Sequence, residues 1–87
     1  MTFTTQEDTV VVQAYVLVQT EVGKAAAVAE EIATIGGVVL AEDVTGPYDV
    51  IVRVEAANVE ELGPLVMSKI QGVKGITRTV TCTVVHA

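Results

Sequence analysis

The sequence has no tryptophan, one phenylalanine and two tyrosines, so aromatic residues make up only 3% of its 87 positions. So small an aromatic content disfavours a binding surface built on stacked rings. Cations are nearly as scarce. Lys24, Arg53, Lys69, Lys74 and Arg78 form no cluster, and eleven Asp and Glu bring the formal net charge to -6. Affinity for nucleic acid is assembled from grouped Lys and Arg, so direct nucleic acid binding is not expected, nor is an anionic membrane surface. Small molecules or other proteins are the expected partners. The single cysteine, Cys82, permits no intrachain disulfide, and the chain reads as cytoplasmic. There is no basic start followed by an apolar stretch, and no apolar run approaches the roughly 18 residues of a membrane span, so a soluble, unexported chain is predicted.

What is present is aliphatic: 51% of the residues are hydrophobic, mostly Val, Ala, Ile and Leu. Met1 to Asp8 are polar and aperiodic, and are expected to be a flexible lead-in to a single domain over residues 9–87. Thr9 to Thr20, rich in β-branched residues, predicts a strand with Val10, Val12, Ala14, Val16 and Val18 on one face and Val11, Gln13, Tyr15 and Leu17 on the other. Ala25, Val28, Ala29, Ile32 and Ile35 then recur at helical spacing, with Gly36-Gly37 as the expected stop. A strand "VVLAEDV", a turn at Gly46-Pro47 and a strand "DVIVRVE" read as a hairpin.

Asn58, with Glu61 three residues on, marks the start of a second helix whose apolar phase runs through Val59, Leu62, Val66 and Ile70. Pro64 interrupts it, having no N–H to bond residue 60, and predicts a kink or an offset first turn. Gly72 ends that helix, and "ITRTVTCTVVH" is the last strand. Its Val80, Cys82 and Val84 are expected in the core, and its Thr77, Thr79, Thr81 and Thr83 as a row of hydroxyls on the opposite face.

The order β-α-β-β-α-β, with a faint repeat of "EIATIGGVVLAEDVT" in "MSKIQGVKGITRTVT", predicts an α+β ferredoxin-like sandwich: a four-stranded antiparallel sheet with both helices on one face. The first strand is apolar on both sides, so the face without helices needs a cover. A second copy of the chain, packed sheet to sheet or edge to edge, supplies it most simply and predicts a dimer.

Few residues invite chemistry. His86, next to the chain end, is expected to be an exposed strand-end residue with no orienting partner. Cys82 lacks a basic neighbourhood and is expected to be inert and buried. The pairs Glu30-Glu31, Glu42-Asp43 and Glu60-Glu61 have no His or Cys beside them, and neighbours on a strand face opposite ways, so neither a metal nor another cofactor is predicted. The glycines match no phosphate-loop spacing.

The turn Thr45-Gly46-Pro47-Tyr48-Asp49 keeps two readings open. Asp49 can serve the local backbone, as turn aspartates do. Alternatively, the Gly46 turn lets a ligand approach its backbone N–H groups with a carboxylate while Asp49 takes an ammonium, a pairing that an α-amino acid fits.

The stretch from about Val11 to Val85 resembles the C-terminal effector domain of the Lrp/AsnC transcriptional regulators. The resemblance is carried most specifically by Thr45-Gly46-x-Tyr48-Asp49 before an apolar strand, Gly72-Val73 after the second helix, and Thr79-x-Thr81 on the last strand. It implies the same βαββαβ sandwich, dimerisation through the sheets, rings of dimers, and amino acid binding where dimers meet. Gly46, Tyr48 and Asp49 match the family's ligand-facing turn, Thr79 and Thr81 match the strand facing it, and Pro47 stands where the family varies. Family regulators carry an N-terminal helix-turn-helix domain, whereas here a short polar lead precedes the first strand. A stand-alone effector module is the expectation, one that is not an enzyme and that acts on transcription indirectly, by joining a full-length regulator. Two other readings remain: a small dimeric α+β barrel enzyme resembling cofactor-independent monooxygenases, which the lack of aromatics and of a paired acid and base opposes, and a purely structural oligomerisation module.

Overall fold

β-Branched residues at alternate positions give the chain its sheet. In the computed structural model, which describes residues 11–85, the strands are β1 (Val12–Thr20), β2 (Val38–Asp43), β3 (Val50–Ala56) and β4 (Ile76–Thr83). They form one antiparallel sheet in the order β2-β3-β1-β4. The polar lead-in Met1 to Asp8, the first two residues of the expected first strand, and His86 lie outside the described residues.

β1 and β3 occupy the centre, and their inward residues Ala14, Val16, Val18, Val50, Val52 and Val54 are fully buried. Helix α1 (Ala25–Ile32) lays Val28, Ala29 and Ile32 on that face, as its apolar stripe predicts. It ends at Ile32, before the glycines expected to stop it. Ala33 to Ile35 turn more tightly, with the N–H of Thr34 and of Ile35 bonding carbonyls three residues back, and Ile35 still rests against the core.

The second helical segment has three parts: α2 (Val59–Glu61), a π-helical turn (Leu62–Met67) and α3 (Ser68–Gln71). The expected disturbance at Pro64 takes this form. Without an N–H to offer Glu60, and with a ring that crowds that carbonyl, Pro64 cannot continue an α-helix from Val59, and the chain widens by one residue per turn. Leu62, Val66 and Ile70 nevertheless reach the same core as α1, so both helical segments cover one face. The start is fixed as the sequence predicts: Oδ1 of Asn58 accepts the Glu61 N–H at 2.9 Å. Asn58→Ala is expected to cost about 1 kcal/mol, a fall in Tm of about 4–8 °C for a domain of this size, measurable by a thermal melt.

The phase of β4 corrects the sequence reading. Residues directly opposite in an antiparallel pair share a face, and Thr79, Thr81 and Thr83 lie opposite Val18, Val16 and Ala14. The threonines are therefore on the helix side, where the Thr81 hydroxyl comes within 4.0 Å of Met67 Sδ. Val80 and Cys82 lie opposite Leu17 and Tyr15 on the face without helices, and Cys82 is exposed rather than buried. The reason is position: β4 is an edge strand that the helices cover only in part, so threonine suffices on its inner side.

The helix-free face carries several large apolar residues. Leu40 on β2, Ile51 on β3, Tyr15 and Leu17 on β1, and Val80 on β4 share it by register. Leu40 and Tyr15 are 44% and 39% exposed, which leaves large apolar groups on this face in contact with water. Pairing on the outer strand β2 slips between Val38 and Leu40.

Candidate functional site

The turn from Val44 to Asp49 is built by the hairpin it closes. The Val44 N–H bonds the Asp49 carbonyl at 2.9 Å, and the Asp49 N–H bonds the Val18 carbonyl at 2.8 Å, which ties the turn to the end of β1. The Gln19 amide donates to the Pro47 carbonyl at 3.2 Å from the same strand end. Gly46 has φ +156° and open space where a side chain would project, so its backbone is approachable from outside.

Beneath the turn lies a cavity of about 320 Å³ lined by Leu17, Val44, Thr45, Gly46, Pro47, Tyr48 and Ile51. No charged side chain lines it. Leu17 and Ile51 belong to the helix-free sheet face, so the cavity opens at the end of that apolar surface. Its chemistry suits an apolar group, with the backbone of the turn as the polar rim.

Asp49 sits beside this cavity without lining it. One carboxylate oxygen, Oδ2, accepts the Thr20 N–H at 2.8 Å, where β1 runs past the end of its pairing with β3. This bond links residues far apart in sequence and satisfies a backbone donor that has lost its strand partner. Asp49 thus has a structural task, and its second oxygen is the part left for a ligand.

Of the five candidate residues, Gly46, Tyr48 and Asp49 are brought together by the turn. Thr79 and Thr81 are not brought to them. Both stand on the helix side of β4, with β1 between them and β3, whereas the cavity faces the helix-free side. Within one chain the turn and the threonines cannot close on a common ligand.

A second cavity, of about 450 Å³, has no signal in the sequence. Glu21, Lys24, Ala27, Val28, Glu31, Lys74 and Gly75 line it, where the start of α1 meets the approach to β4. It is the roomier of the two and mixed in charge, and no ion pair within 4 Å joins its lysines to its glutamates among the described residues. Lys24 and Lys74 are far apart along the chain, so only the fold could have shown that they are neighbours. Among the described residues no group of three or more His, Cys, Asp or Glu is placed to hold a metal ion, and no helix is long and apolar enough to cross a membrane.

Comparison with known proteins places this geometry. A family model described as the Lrp/AsnC ligand binding domain matches residues 13–87. An uncharacterised helix-turn-helix-type transcriptional regulator of Pyrococcus furiosus is 46% identical over 54 residues, 62% of this chain and 36% of the relative. The chain therefore matches about a third of that relative's length. Among solved structures, TTHA0845 of Thermus thermophilus is 34% identical with a TM-score of 0.79, over 87% of this chain and 95% of that one. AsnC of E. coli shares the fold at a TM-score of 0.80 and 18% identity, over all of this chain and 58% of its own.

Proposed function

This chain belongs to the Lrp/AsnC ligand-binding domain family, and from that premise we propose that it is an effector and assembly module that binds a small amino acid where copies meet. The observation that carries the reading is the apolar cavity under Thr45 to Tyr48, which opens onto an uncovered apolar sheet face. A second copy laid on that face removes Tyr15, Leu17, Leu40, Ile51 and Val80 from water, each apolar side chain contributing on the order of 1 kcal/mol or more. The opposed placement of Tyr48 and the threonines supports a ligand shared between copies: a molecule touching both sets must take them from different chains.

In this mechanism the N–H groups of the turn receive the ligand carboxylate and the free oxygen of Asp49 its ammonium. The side chain enters the apolar cavity, and Thr79 or Thr81 closes the site from a copy in another dimer, which approaches with its helix side. A ligand that needs two chains favours the assembled form by linkage, which converts its concentration into a degree of assembly. The effect on transcription is then indirect, through a regulator of the same family that shares the assembly, and without chemical change to the ligand.

A thermal-melt screen against the standard amino acids tests this. A ligand at about 100 times its Kd is expected to add about 2.7 kcal/mol, several degrees of Tm. Asp49→Asn is the informative variant, because its amide oxygen can still accept the Thr20 N–H while the negative charge is gone. Loss of the ligand shift at an unchanged ligand-free Tm supports the reading. A flat screen with the wild-type chain rejects amino acid binding and leaves the structural assembly module, which the bond from Asp49 to Thr20 favours.

A further inference from the structure

Near its middle the helix-free sheet face carries a connected group of polar side chains. Arg53 and Glu55 are alternate residues of β3 and so point the same way, with Tyr15 and Gln13 opposite them on β1. The Arg53 guanidinium lies over the Tyr15 ring, 5.8 Å from its centroid. Its Nη2 is 3.7 Å from Glu55 Oε2, which also accepts from the Gln13 amide at 3.2 Å. That contact with Glu55 is long and one-pronged, although guanidinium and carboxylate can meet through two short bonds. Arg53 and Glu55 are each about one-third exposed, so both reach the surface of this face.

A guanidinium and a carboxylate joined by one long contact keep donors and acceptors to spare for a partner. Charged side chains on a largely apolar face weaken simple hydrophobic pairing. That cost is offset if the partner surface completes the pair. We infer that Arg53 and Glu55 orient a second copy on this face, the exposed end of the Arg53 guanidinium in each chain reaching the other chain's copy of Glu55. The inference rests on the proposed self-association through the sheet.

Charge complementarity identifies the occupant. A two-fold axis across the strands, passing between Arg53 and Glu55, lays β3 on β3 and sets each arginine against the other chain's glutamate. Four charges then alternate in sign around a closed square, and one surface serves both partners, as two-fold interfaces require. A copy slid by two residues along β3 faces arginine with arginine, so the pair penalises the wrong registers and surfaces lacking this pattern.

The test uses native mass spectrometry and sedimentation of the full chain with two variants, Arg53→Glu and Glu55→Arg. Each alone faces like charges across the axis, and its self-association is expected to weaken at least about tenfold. Mixed, the two variants are expected to form heterodimers well above the statistical half, because opposite charges then meet between chains. Arg53→Lys, which keeps the charge but loses the planar fork of donors, is expected to weaken pairing with folding intact, and it stands in if a reversal fails to fold. Wild-type-like association of the variants, or a statistical mixture, overturns the inference while the sheet-to-sheet dimer stands. A wild-type chain that stays monomeric removes the self-association reading itself.

Discussion

Ile32→Ala is expected to lower the unfolding free energy by about 2–5 kcal/mol, read as a shift of the denaturant midpoint at constant slope. Ile32 is fully buried, among the largest such side chains, and closes α1 against the sheet. Truncation removes apolar contact and leaves a void that the neighbouring valines, stiff at χ1, fill poorly. The helix has little else to hold it. Its eight residues carry no side-chain cap at the start and no basic residue in the last turn, and a helix of that length is marginal in water without tertiary packing. For a domain of this size the total is on the order of 4–13 kcal/mol, so one side chain accounts for a large share. Val22, fully exposed in the loop before α1, is the control, and Val22→Ala should leave the midpoint unchanged.

The second large effect is at Gly37, between α1 and β2. Gly37→Ala is expected to cost about 2–5 kcal/mol from two separable causes. The residue has φ +97°, which is unfavourable for any L side chain, and a β-carbon there would lie 2.7 Å from Val66 Cγ2 and 3.2 Å from the Glu55 carbonyl. Its own carbonyl accepts the Glu55 N–H at 2.8 Å, so the backbone is not free to move away. Gly36→Ala next to it meets open space at an ordinary φ and should be close to neutral. Adding Val66→Ala to Gly37→Ala separates the causes. The clash with Val66 disappears and the backbone strain stays, so the two changes together should cost less than the sum of each alone. An additive result would assign the whole effect to the backbone.

The sequence announces what is local. Ala25 to Ile32 declare their buried face through spacing, Asn58 declares its cap, and Pro64 declares an interruption that takes the form of a π-helical turn. β4 misleads because valine, cysteine and threonine are all small and fit either side of an edge strand, and only pairing with β1 decides which way each points. The same holds for Asp49. A turn aspartate is visible in the sequence, but its partner Thr20 lies 29 positions away and appears only when β1 and β3 come into register. Arg53 and Glu55 are legible as neighbours on one face. Their relation to Tyr15 and Gln13, on a strand distant in sequence, is not.

The slipped pairing at Val38 to Leu40 bears on growth without end. β2 is an outer strand, and a straight outer strand offers a row of N–H and carbonyl groups to any strand that comes by, including one from another copy. A head-to-tail contact of that kind propagates into fibres unless its rotation closes a ring. The slip twists part of the row out of line and leaves Val39 pointing outward at 56% exposure, which spoils the template where it would otherwise be longest. The outer strand is thus a terminus for the sheet, and a highly aliphatic chain of this kind can stay in assemblies of finite size.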